Sequence, residues 1–220
     1  MPTICIFSTM GVTTNPRIQL SIIMSWVSFV LFVIFYLIAA LNYSGGSYAN
    51  PDQAAFSFPD NYLCDLLDEH AINGSVNSAK MFARIALGCL CLGIFLFWNH
   101  LPKLFRNKSG ILKIMQISGM LSMLTTVFLA TGNHDLVTRI AGLIGAFAMC
   151  LAFIFLYRAG FRGYVFYGIL CLILILLNYY SYETGVMRHI LPLFQKVTTI
   201  ACLGWFVLLN LELYKHVKIH

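Results

Sequence analysis

Charge is what this 220-residue chain has least of: only 10% of its residues are Asp, Glu, Lys or Arg, against 60% hydrophobic, with a mean hydropathy of +0.81. Soluble domains carry about 25% charged residues to cover their surface, so a soluble globule is excluded, and intrinsic disorder and coiled coil fall with the same numbers. No charged residue at all stands between Ile18 and Leu41. Catalytic spacing is equally scarce. The outer-face histidines form no H-E-x-x-H or H-x-x-x-H pair for a metal, and the chain has no G-x-S-x-G elbow and no glycine-rich phosphate loop, because Ser44-Gly45-Gly46-Ser47 is short and is followed by neither a basic anchor nor a helix start. Cysteine pairing is absent where it would matter. Cys64 is the one cysteine outside the apolar runs apart from Cys5, and Cys89 and Cys91 stand about 200° apart on a helix, so neither a disulfide framework nor a thiolate metal site is expected.

What is present is apolar length. A hydrocarbon core about 30 Å thick takes about 20 helical residues, whose backbone must be satisfied internally. Six runs meet that length, near 18–42, 81–101, 112–132, 137–157, 162–180 and 192–214. The fold class predicted is all-α, a polytopic bundle of six transmembrane helices in a single integral membrane domain over 1–220. The first run is too long for the apolar region of a cleaved signal peptide, about 7–15 residues, and reads as a retained signal anchor. Cytoplasmic ends keep the positive excess. With the N-terminus inside, Arg17, Lys103, Arg106, Lys108, Lys113, Arg158, Arg162, Lys215 and Lys218 fall inside. Only Lys80, Arg84, Arg139, Arg188 and Lys196 then fall outside, where all the acids except Glu212 also lie. Both termini are therefore expected in the cytoplasm and the chain in the cell membrane, which is the cytoplasmic membrane if the host is bacterial. The overall charge of +6 reads as topology, with no nucleic-acid partner.

The one long connection, 43–80, turns abruptly to Gly, Ser, Asn, Pro and Asp, and a connection of this length is usually functional or folded. Gly45, Gly46 and Pro51 mark turns. Pro59, Asp60 and Asn61 can start a short helix through Asp65 and Glu69, closed by Asn73 and Gly74. We expect a folded extracytoplasmic cap in which Asn61, Asp65, Asn73 and Asn77 satisfy loop backbone and hold the cap over helices two to four. In helix four, Ala141, Gly142, Gly145, Ala146 and Ala148 form a smooth face, expected to seat against Ser118, Gly119, Ser122, Thr125 and Thr126 of helix three; an oligomer through helix four is the other use of that face. Gln116 is expected to serve as interhelical hydrogen-bonding glue.

Ionisable groups buried in a bilayer are the default functional clue, and the centre of each run has none, which argues against a coupled transporter with a midplane site. The polar groups gather at the outer boundary: Asp65, His70 and Arg84 around the long loop, His134, Asp135 and Arg139 at the start of helix four, and His189 between helices five and six. These are the candidate ligand-binding residues, with Asp135 and Arg139 placed i, i+4 for pairing. Two functions compete for them. In a metal-dependent membrane hydrolase, His70, His134 and His189 would hold zinc while Asp65 or Asp135 orients ligands or activates water. The reading adopted is non-enzymatic: binding, sensing or scaffolding at an outer polar pocket for lipid or a small ligand, with no catalytic residue, metal or cofactor required, since the histidines have no second ligand at local spacing.

The succession Ser44-Gly45-Gly46-Ser47, Phe56-Ser57-Phe58, Asn61-Tyr62-Leu63-Cys64-Asp65-Leu66, Ala71-Ile72-Asn73-Gly74 and Asn77 resembles a bacterial integral membrane family catalogued as domain of unknown function nine-nine-eight. The stretch from Thr131 to Asp135, with His134, resembles that family's turn before helix four. The family is itself distantly similar to the Frag/DRAM/Sfk-type six-helix membrane proteins. The resemblance implies topology and a distinctive outer loop, and brings no activity or catalytic residue with it.

Overall fold

The structure, a computed structural model, describes residues 16–105, 109–131 and 134–219. Cys5, Arg106, Lys108 and Asn133 lie outside the described residues, as do the side chains of His134 and Lys218. The described residues form an all-helical structure with six long helices and no strand: α1 (Pro16–Leu41), α2 (Lys80–His100), α3 (Gly110–Thr126), α4 (His134–Arg158), α5 (Arg162–Thr184) and α6 (Leu191–Ile219). Each is long and apolar enough to cross a membrane, and a helix is the open-chain element that satisfies its own backbone in lipid. The chain is accordingly a multi-pass integral membrane protein. Single 3₁₀ turns extend α2 over Leu101–Leu104 and α3 over Val127–Thr131, so the polar connections are shorter than the hydrophobic runs suggest.

Bulky rings on some helices are received by glycine on others. Phe97 and Trp98 of α2 meet Phe206 of α6 at centroid separations of 5.0 and 6.4 Å, and Trp205 packs on Phe97 at 6.1 Å. Trp98 lies so close to Gly119 of α3 that a Cβ there would fall 2.1 Å from its ring, and Gly93 takes Phe29 of α1 in the same way. Such close approach is what small residues allow in membrane bundles. Polar side chains tie the helices: Ser25 Oγ donates to Gly93 O (2.7 Å), Ser122 Oγ to Ala141 O (2.8 Å), Gln116 Nε2 to Asn99 O (2.9 Å), and Trp205 Nε1 to Tyr164 O (2.8 Å). On α4, Ala141 and Gly145 face Ser122, whereas Gly142 faces open space. At the end opposite the long connection, His100 Nε2 and Ser21 Oγ are 2.7 Å apart and Lys103 Nζ lies 2.8 Å from His100 Nδ1; short turns bring Arg158 and Arg162 to the same end.

The α1–α2 connection is hydrogen-bonded along its length. Gly45 (φ +110°) and Gly46 (φ +83°) let the backbone double back, and a Cβ on either would lie 2.4 Å from Gln53 O or Asn73 N. The short helix expected between residues 59 and 73 does not form. One 3₁₀ turn, Cys64–Leu66, stands in its place, because Asn61 turns its side chain inward to bond Gly46 and Gln53, an alternative that competes with helix. Leu66 and Leu67 are buried with Ala39 and Tyr43 from the end of α1 and Ala79 and Ala83 from the start of α2. The anchoring therefore runs to α1, α2 and, as described next, α6, instead of to helices two to four.

Candidate functional site: a buried polar anchor and an open charged cleft

Two polar assemblies share this end of the bundle, and the residues singled out from sequence divide between them. The first is the interior of the α1–α2 connection. Asn61 is fully buried. Its Nδ2 donates to Gly46 O (2.7 Å) and Asp65 Oδ2 (3.0 Å), and its Oδ1 accepts from Gln53 Nε2 (2.8 Å) and Ser57 N (2.9 Å). Asp65 also accepts from Tyr62 N (2.8 Å). Asn77 Nδ2 is shared among the carbonyls of Asp65, Leu66 and Asp68 at 2.9–3.2 Å. Asn73 is exposed, and closes the rim by donating to Ser44 O (2.6 Å) and accepting from Ser75. These bonds tie Asn61, Asp65 and Asn77 into the interior of the connection.

Two consecutive residues of α6 reach into this interior. Gln195 Oε1 accepts from Leu63 N (2.9 Å). Lys196, only 2% exposed, donates to Asn61 O and to Pro192 O (3.1 Å), with its ammonium 5.5 Å from the Phe56 ring centroid and 5.1 Å from that of Phe58. Carbonyl and aromatic partners of this kind are what hold a lysine in such a place. In sequence Lys196 stands merely as one of the outer charges. Its signal was a lone cation inside an apolar run.

Burial pushes the Asp65 carboxyl above its ordinary 3.8, against the lowering effect of its bonds from Asn61 and Tyr62. A raised folded-state pKa favours the protonated form in the folded protein. The associated stability is therefore complete below about pH 4, where the unfolded carboxyl also protonates, and is lost as pH rises through the folded value. We expect Asp65→Asn, which keeps shape and one acceptor, to flatten this dependence: thermal unfolding of wild type and variant in detergent should diverge in favour of wild type on acidification. Parallel curves would contradict the assignment. Burial, with Asp65 and Asp68 nearby, pushes the Cys64 thiol up to about 12, which leaves it unreactive at neutral pH.

On the outside of the connection, Glu69 takes ion pairs from Lys80 and from Arg84 (2.8 Å), which hold its carboxylate below the usual range. Arg84 is thus committed to Glu69 and, at 3.4 Å, to Leu67 O. His70 is exposed and its backbone forms a bridge with Val76. His189 is exposed in the α5–α6 turn. Among the described residues no group of three or more His, Cys, Asp or Glu converges as a metal site would require.

The second assembly is an open cleft of about 390 Å³ between the connection, the start of α4 and the α5–α6 turn. Pockets that hold small ligands run about 300–1,000 Å³. Tyr62, Asp135, Arg139, Tyr182, Glu183 and Arg188 line it. Arg139 does not take Asp135, as the i, i+4 spacing predicts, but reaches across to Glu183 of α5 at 2.8 and 3.2 Å. Asp135 accepts instead from Tyr182 OH (2.9 Å). α5 carries both Tyr182 and Glu183 on its last turn, which explains why the interhelical partners win. Arg188 lies over the Tyr48 ring, 4.1 Å from its centroid. The turn that delivers it is strained: besides Gly185 (φ 72°), Met187 adopts φ 57°, a conformation costly for a non-glycine residue and often found at ligand clamps. Of the sequence-predicted binding residues, the cleft thus joins Asp135 and Arg139 and leaves Asp65, His70 and Arg84 elsewhere. Tyr62, Tyr182, Glu183 and Arg188 complete it. Comparison of the chain with protein-family models, with curated proteins and with solved structures finds no match to any of them.

Proposed function

We propose that this membrane protein is a non-enzymatic binding, sensing or scaffolding protein, oriented with both termini in the cytoplasm, and that its charged cleft takes a lipid headgroup at the extracytoplasmic surface. The observation that carries this reading is the cleft itself: guanidinium, carboxylate and phenol groups gathered at the mouth of an apolar bundle. Its depth in the membrane is argued from the neighbouring side chains. Tyr179, Tyr180 and Tyr182 are 40–58% exposed at the end of α5, with Val186 and Met187 exposed beside them. Tyrosines belong at headgroup level, where the ring is in contact with lipid and the hydroxyl with water. The excess of Lys and Arg at the far end supports the orientation.

Arg188 is the group best placed to hold a lipid phosphate, since a guanidinium binds phosphate through paired charge-assisted bonds. Purified protein examined by native mass spectrometry should keep phospholipid, and Arg188→Leu should lower the retained fraction about tenfold, as expected for losing one charge-assisted bond, with little change in thermal stability. Equal retention by Arg188→Leu would contradict the proposal.

A further inference from the structure

The charges lining the cleft are not all committed to one another. Arg139 and Glu183 form a two-bond pair. That leaves one cation, Arg188, whose neighbours are the neutral Tyr48 ring and Tyr62 side chain, and one anion, Asp135, whose bonded partner is the neutral Tyr182 hydroxyl. Among the described residues neither has a side chain of opposite charge within ion-pair distance. Both line the same cleft.

We infer that the cleft selects a zwitterionic headgroup of the phosphoethanolamine type, with the phosphodiester at Arg188 and the primary ammonium at Asp135. This rests on the lipid-headgroup reading of the same cleft and adds the class of lipid. An ion left without a counter-charge in a half-enclosed site favours a ligand that supplies one. A ligand carrying one charge of each sign matches both residues at once. An anionic headgroup such as phosphatidylglycerol would satisfy Arg188 and meet repulsion from Asp135. A choline headgroup carries the right charges, but its quaternary nitrogen has no N–H to donate, whereas a primary ammonium has three. The lipid source follows from position, because the cleft opens beside the exposed tyrosines and apolar turn residues that mark the headgroup level.

The test is competitive lipid retention, read by native mass spectrometry on the full chain reconstituted with equal amounts of phosphatidylethanolamine, phosphatidylglycerol and phosphatidylcholine of identical acyl chains. Wild type should favour phosphatidylethanolamine. Asp135→Asn, which can still accept the Tyr182 bond, should lose that preference by about tenfold and turn toward phosphatidylglycerol, because the site gains one net positive charge. Arg188→Leu should retain about tenfold less of all three. A wild type without the preference, or an Asp135→Asn protein that keeps it, would overturn the headgroup assignment while leaving a lipid site in place. Retention unchanged in Arg188→Leu would remove the site itself. Soluble phosphoethanolamine displacing the lipid at equal concentration would overturn the lipid as the source of the zwitterion.

Discussion

Replacing Lys196 by alanine is expected to free the α1–α2 connection from the bundle and to cost roughly 3–5 kcal/mol, the range found when one partner of a buried charged assembly is removed. Three losses combine. Asn61 O gives up the ammonium that bonds it, the Phe56 and Phe58 rings lose the cation between them, and the truncated side chain leaves a void at a position now 2% exposed. Lys196→Met separates packing from charge. It refills the void, so it should recover part of the loss and still fall short of wild type, because the carbonyl stays unpaired. Thermal unfolding in detergent gives the magnitude, and limited proteolysis within residues 43–80 gives the location: early cleavage in Lys196→Ala with the six helices intact. An alanine variant as stable and as protease-resistant as wild type would show that α6 does not hold the connection.

Asn61 should be nearly as sensitive, with Asn61→Ala costing about 2–4 kcal/mol. Its amide serves four partners from Gly46, Gln53, Ser57 and Asp65, and each group stranded without water costs on the order of 1–3 kcal/mol, discounted where a second bond remains. Gln53 keeps Ala55 O and Asp65 keeps Tyr62 N. Ser57 N and Gly46 O lose the Asn61 amide. The near-isosteric Asn61→Asp is the sharper experiment. It places a second carboxyl against Asp65 and withdraws the donor to Gly46 O, so it should be strongly destabilised at neutral pH and partly rescued by acid, where the two carboxyls can share a proton. An Asn61→Asp protein with wild-type stability at pH 7 would mean that this amide is not the centre of the connection.

The membrane-spanning architecture was legible because run length reports directly on bilayer thickness. The helix ends near Leu41, His100 and Arg158 fall within a residue of the runs read from sequence. The polar residues of the long connection were legible as a set, through their type and density. Their partners were not. Lys196 bonds a carbonyl 135 residues away and Arg139 a carboxylate 44 residues away, and no local periodicity encodes either distance. Spacing favoured Asp135 for Arg139, yet Glu183 and Tyr182 arrive together on one turn of α5 and divide the two residues between them. The helix anticipated after Pro59 failed for a related reason: Asn61 and Asp65 read as helix-start residues, but the connection uses them as internal hydrogen-bonding hubs. Arg188 was visible only as an outer charge, and the left-handed Met187 that precedes it has no sequence signature.

The most direct test of the account concerns which side of the membrane the cleft faces. Ala54 in the long connection and Ala159 in the α4–α5 turn are both exposed and stand at opposite ends of the bundle. Each can be changed to cysteine and treated in intact cells with a membrane-impermeant thiol reagent, with the wild-type signal subtracted. Ala54→Cys should label in intact cells and Ala159→Cys only after permeabilisation. The reverse pattern would place the connection and its charged cleft in the cytoplasm and contradict the extracytoplasmic lipid-binding function proposed for them.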